Sequence, residues 1–171
     1  MRKLTKGFTL IELLIVIALL GALAVGLLAA LDPFEQLKKG TDTGTRNTVS
    51  ELHGSIIRYF AVKSVMPWGN ISSIGPSSVG PGYAALSIDQ IISAGELKAD
   101  FSQLAGDKLS NIYMVGTSEN VTVCYKPLSK SMRNDPNTRY DNVTLSDKLT
   151  NDVANCGSPG DATFSCYWCV R

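Results

Sequence analysis

The 171-residue sequence has one histidine, His53, and four cysteines, all of them after residue 120. A single histidine excludes metal centres built on two or more imidazoles. There is no proline before Pro33, and no charge between Phe8 and Leu31 except Glu12. Basic and acidic residues number 16 and 15, a formal charge of +1. No strong field therefore calls for a polyanionic partner, and no specific nucleic acid is expected. The chain shows no Ser/His/Asp set, no phosphate-binding glycine loop and no paired carboxylates on a definable scaffold. Neither an enzyme nor a cofactor is expected.

What is present is the run Phe8 to Leu31, FTLIELLIVIALLGALAVGLLAAL. A helix needs about 20 mostly apolar residues to cross a bilayer, and this run suffices. Arg2, Lys3 and Lys6 precede it, so its N-terminal end is expected in the cytoplasm. A secretory signal fits the basic start, and Ala22-Leu23-Ala24 fits its small-x-small cleavage rule. The carboxylate of Glu12 and the apolar residues continuing past Ala24 argue against it. A plain membrane anchor accounts for length and orientation but not for Glu12, because ionisable groups inside a membrane are costly and need a partner.

The residues Lys6-Gly7-Phe8-Thr9-Leu10-Ile11-Glu12-Leu13-Leu14-Ile15-Val16-Ile17-Ala18 resemble the N-terminus of type IV pilins and of type II secretion pseudopilins. In that family a prepilin peptidase cuts after the glycine and methylates the new N-terminus. The resemblance implies cleavage between Gly7 and Phe8, N-methylation of Phe8, and an assembly role for Glu12. A cleaved chain carries a cationic amine at Phe8, and amine and carboxylate attract strongly in low dielectric. Glu12 of one subunit would then place the Phe8 amine of a neighbour as the helices bundle. The implied partners are identical and related pilin subunits, the prepilin peptidase, the pilus assembly platform and the inner membrane before assembly. Many members carry proline where this chain has Ala29, leaving Gly21 and Gly26 as its weak helix points.

Four segments are expected: a leader at 1–7, a transmembrane and polymerisation helix at 8–31, an amphipathic continuation at 32–66 and a globular head at 67–171. Pro33 predicts a kink or break, with Asp32 as a possible N-cap. Residues 38–48, KKGTDTGTRNT, are poor helix formers and read as loop on propensity alone. Val49, Leu52, Ile56, Tyr59, Phe60 and Val62 then recur at mostly helical spacing, and the helix should end near Ser64 to Met66. His53 on this helix reads as a solvated or interface residue.

In the head, Trp68 to Gly82 reads as loop. Leu86 to Leu97 reads as a short helix, followed by a second piece at Asp100 to Leu104. Asn111 to Gly116 and Val121 to Pro127 read as two strands of a hairpin. Ser129 to Asn142 reads as loop, Ser146 to Val153 as a short helix and Ala162 to Val170 as a C-terminal strand. The expected class is α+β: a long N-terminal helix packed on a small antiparallel sheet, pilin-like.

The even cysteine count in an exported domain points to two disulfides. An all-cysteine zinc site is disfavoured, because Cys124 and Cys156 do not form a second short-spaced pair beside Cys166 and Cys169. No metal is expected. The carboxylates and amides from Asp135 to Asp152 match no calcium loop. Strand alternation puts Phe164, Cys166 and Trp168 on one face with Cys169 on the other, and sets Cys124 opposite Val121, Val123 and Tyr125. If both apolar faces meet the helix, Cys124 pairs with Cys169 and Cys156 with Cys166. The function this supports is a structural subunit of a type IV pilus, first in the inner membrane and then extracellular. The alternatives are a periplasmic type II secretion pseudopilin and a tethered, non-polymerising binding domain.

Overall fold

The computed structural model describes residues 7–30, 32–69, 71–79, 86–140, 156–158 and 163–171. The expected helix at Ser146 to Val153 lies outside the described residues. The chain divides into two compact units, Met1–Leu37 and Lys38–Arg171.

In the first unit, α1 spans Leu10–Ala30. It is apolar on every side, so no stripe distinguishes a core face from a solvent face. Residues Leu10–Leu28 are long and apolar enough to cross a membrane. At 1.5 Å per residue those 19 residues cover about 28 Å, close to the ~30 Å of a hydrocarbon core. The next helix, α2, spans Pro33–Lys63. Its start is capped by Asp32, whose Oδ1 accepts the backbone N–H groups of Phe34 at 3.1 Å and Glu35 at 3.2 Å. Pro33 occupies the first helical position, where its missing N–H costs nothing.

In the second unit, residues 38–48 are helical, where propensity favours a loop. The threonine hydroxyls of this stretch donate back into the helix: Thr43 to the Lys39 carbonyl, Thr45 to Thr41 and Thr48 to Gly44. Asp42, Thr45, Val49, Leu52, Ser55 and Ile56 form the buried face. Tertiary contact thus overrides weak propensity. Ser64, with φ of 54°, ends the helix two residues before Met66.

Among the described residues the sheet has five strands: β1 (Ser73–Ser78), β2 (Ile112–Thr117), β3 (Val121–Tyr125), β4 (Thr138–Tyr140) and β5 (Tyr167–Val170). Their order is β1-β2-β3-β5-β4, and each neighbouring pair is antiparallel. Two strands lie where the sequence reads as loop. β1 falls inside the Gly/Ser/Pro-rich stretch, held by pairing with β2 and interrupted by a bulge between Ile74 and Ser77. β4 falls inside Ser129 to Asn142 and pairs with β5. Among the described residues the unit also has three short helices, α3 (Ile88–Ser93), α4 (Phe101–Ala105) and α5 (Lys130–Arg133), with a 3-10 turn at Gly106–Asn111. The main core joins Val49, Leu52 and Ile56 of α2 to Ile112, Met114, Val123, Tyr125 and Trp168 of the sheet. This is the α+β arrangement expected from the sequence, a helix packed on a small antiparallel sheet.

Candidate processing and assembly site

The residues around Glu12 form a local structure of their own. Gly7, Phe8 and Thr9 precede the helix and are exposed. Thr9 caps α1. Its Oγ1 accepts the Glu12 backbone N–H at 3.3 Å, while Glu12 Oε2 accepts the Thr9 backbone N–H at 2.8 Å and the Thr9 hydroxyl at 2.6 Å. The Thr9 carbonyl receives the Leu13 N–H at 3.2 Å, the first bond of the helix. This is a reciprocal capping box, which satisfies donors that a helix start otherwise leaves open. Sequence reading missed it, although Thr9-x-x-Glu12 before an apolar run is its signature.

Two consequences follow from this geometry. First, the Gly7–Phe8 peptide bond lies outside the helix, in a non-helical segment. Second, both bonds from Thr9 fall on Oε2, so among the described residues Oε1 is left open to a donor from elsewhere. The carboxylate is held in place at the first turn of an apolar helix and retains acceptor capacity.

The cysteines lie in the second unit. Cys124 is joined to Cys169 and Cys156 to Cys166. Cys124 and Cys169 are register partners on β3 and β5, packed with Tyr140 on the sheet face away from α2. Cys156 and Cys166 pack with Phe164 in a separate small cluster, and the Ser165 N–H reaches the Cys156 carbonyl at 2.9 Å. All four sulfurs are consumed as disulfides. Among the described residues no group of three or more His, Cys, Asp or Glu side chains could hold a metal ion.

Two further polar residues emerge from the packing. Asp42 is 1% exposed, and its carboxylate accepts the Leu128 N–H at 3.0 and 3.1 Å, the Ser129 N–H at 2.7 Å and the Ser129 hydroxyl at 2.6 Å. It pins the segment after β3 to α2. No sequence signal singles it out, since it lies in the stretch that reads as loop. His53 is half-buried rather than solvated. Burial lowers its pKa from the ordinary value, opposed by its bond to the Val121 backbone, and its Nε2 has no partner among the described residues.

Residues 2–28 match the family model of the prokaryotic N-terminal methylation motif. No curated protein and no solved structure matches the chain. The match covers the basic leader, Gly7, Phe8, the capping box and nearly all of α1. The N-terminal segment of this chain is a prokaryotic N-terminal methylation motif, the signature shared by type IV pilins and pseudopilins.

Proposed function

We propose that this chain is a structural subunit of a type IV pilus filament, serving attachment, motility or DNA uptake. The observation that carries the reading is the methylation motif at residues 2–28, with a carboxylate in the first turn of an otherwise apolar helix. In this reading α1 first holds the subunit in the inner membrane. Prepilin peptidase cuts between Gly7 and Phe8, removes the charges of Arg2, Lys3 and Lys6, and methylates the Phe8 amine. Methylation leaves that amine cationic.

Assembly then moves α1 from lipid into a bundle of equivalent helices. The open Oε1 of Glu12 accepts the Phe8 amine of a neighbouring subunit, while Thr9 keeps Oε2. A charge pair in low dielectric is favourable only when both members are well placed, so the pairing selects axial register as well as adding attraction. The uncut leader would bring three cations into the bundle. Two disulfides in the head support an exposed filament, since exposed fibres meet oxidising conditions and shear.

Replacing Glu12 by Ala in the producing cell tests this. Surface filaments should disappear while the subunit still accumulates in the inner membrane. Unchanged filament yield overturns the reading. Loss of protein secretion, with surface filaments unaffected, would assign the subunit to a type II pseudopilus instead.

A further inference from the structure

The start of α2 carries two large, exposed apolar side chains. Phe34 is 73% exposed and Leu37 69%. After α1, no described large apolar side chain is more exposed than Phe34. Three positions apart on a helix, the two lie on one face. Both belong to the first compact unit, Met1–Leu37, together with α1. Phe34 follows Leu31, the last residue of the apolar run, by three positions. Three residues cover about 5 Å as helix and about 10 Å fully extended. The headgroup region of a bilayer adds about 5–7 Å to each side of its hydrocarbon core. Phe34 is therefore within reach of that region. Side chains on a helix lean toward its N-terminus, so Leu37, one turn further on, is directed back toward the end of α2 that is joined to α1.

The backbone of this turn is closed as well. Pro33 has no N–H to satisfy. The N–H groups of Phe34 and Glu35 donate to Asp32 Oδ1, and that of Gln36 donates to the Asp32 carbonyl at 3.2 Å. The first turn of α2 thus presents no open donor, which is the condition for placing a helix start beside hydrocarbon. Lys38 and Lys39 come next in the sequence. Side chains of this kind lay their stems on apolar surface and keep the ammonium among polar groups. α1 itself offers little to hold it at one depth in lipid, being apolar on every side apart from Glu12.

We propose that Phe34 and Leu37 form an interfacial anchor, docked on the lipid surface where acyl chains meet headgroups and the chain leaves the membrane. Phe and Leu on one helix face are what that boundary takes up. The occupant is lipid because the pair continues the lipid-facing length of α1 within the same unit. This anchor presupposes that α1 first lies in the inner membrane, as read above. Its effect is to fix how deep α1 sits. A slip of one helical turn is about 5.4 Å, enough to carry the pair out of the headgroup region and the Gly7–Phe8 bond away from the cytoplasmic face.

The test places the full chain in vesicles of phosphatidylethanolamine and phosphatidylglycerol, with one nitroxide label at a time. All four native sulfurs are in disulfides, so an introduced cysteine is the single reactive thiol. Labels at Phe34→Cys and Leu37→Cys are compared with Leu20→Cys inside the span and Ser50→Cys at an exposed position of α2. Collisions are read with oxygen, which enters lipid, and with a nickel chelate, which stays in water. The oxygen-to-chelate ratio at positions 34 and 37 should be severalfold above that at position 50 and below that at position 20. A ratio equal to that at position 50 overturns the anchor and leaves the membrane reading intact. Shielding from both colliders assigns the pair to a protein contact, such as a second copy, and also overturns the anchor. Chelate access at position 20 overturns the membrane reading and the anchor with it. Phe34→Gln combined with Leu37→Gln should change the ratio at a Leu27→Cys label severalfold, and an unchanged ratio overturns the depth-setting role.

Discussion

The Trp68 indole occupies the space that a side chain on Gly116 would need. A Cβ built on Gly116 would stand 2.7 Å from Trp68 Cζ2 and 2.8 Å from Cη2. The indole Nε1 also donates to the Thr117 carbonyl at 3.1 Å. The segment following α2 is thus fastened to β2 by a ring lying flush on a glycine. Gly116→Ala forces the buried ring aside, an overpacking change of about 1–3 kcal/mol. A thermal midpoint lower by several degrees and an altered tryptophan emission spectrum are expected. An unchanged midpoint would show that the ring is not held there.

Asp42 joins α2 to the segment after β3 through donors from two residues. Asp42→Ala leaves the Leu128 and Ser129 N–H groups and the Ser129 hydroxyl without their acceptor. Loss of charge-assisted bonds in a buried setting costs about 3 kcal/mol. Chemical denaturation should report that loss. Amide exchange should accelerate first at residues 128 and 129, ahead of the hairpin.

His53 gives the head an acid sensitivity. Burial lowers its folded pKa below the ordinary value. Below the unfolded value of about 6.5 the unfolded chain therefore binds the proton more readily than the native one. The stability tied to His53 is complete above that pH and is lost as pH falls through the folded pKa. Among the described residues the lining around it includes Arg171 and no Asp or Glu side chain. His53→Gln should flatten the difference in thermal midpoint between pH 7 and pH 5 relative to the parent chain. Parallel pH profiles for the two proteins would contradict this.

The two disulfides should contribute unequally. Cys124–Cys169 spans a sequence separation of 45 and Cys156–Cys166 one of 10. Loop-closure entropy predicts a cost of about 2–4 kcal/mol for losing either, with the longer loop costing about 1 kcal/mol more. Paired Cys→Ala variants, compared by denaturant midpoint at equal m-value, measure the difference. A larger loss from the Cys156/Cys166 variant would contradict the entropic ordering.

Legibility of the fold varied with how local each element is. The apolar run of α1 and the hairpin of β2 and β3 carry their own patterns, and so does the α+β arrangement built from them. The stretch around Asp42 and Thr45 does not, because glycines and threonines favour helix only weakly. Its helicity rests on the burial of Asp42 and Thr45 against the rest of the head, packing that no local window contains. β1 is a strand through its ladder with β2, where Ser73 faces Thr117 and Ser78 faces Tyr113, rather than through β-branched composition. At the candidate site the importance of Glu12 is legible from its isolation among apolar residues. Its bond to Thr9 follows the Thr-x-x-Glu capping signature, which sits inside the same residues as the isolated charge.

The central claim concerns the N-terminus, and mass spectrometry of the mature chain purified from its own cells tests it most directly. The account predicts a chain beginning at Phe8 and heavier by one methyl group on that residue. An intact Met1, or a chain beginning at Val25 after signal-type cleavage, would contradict it.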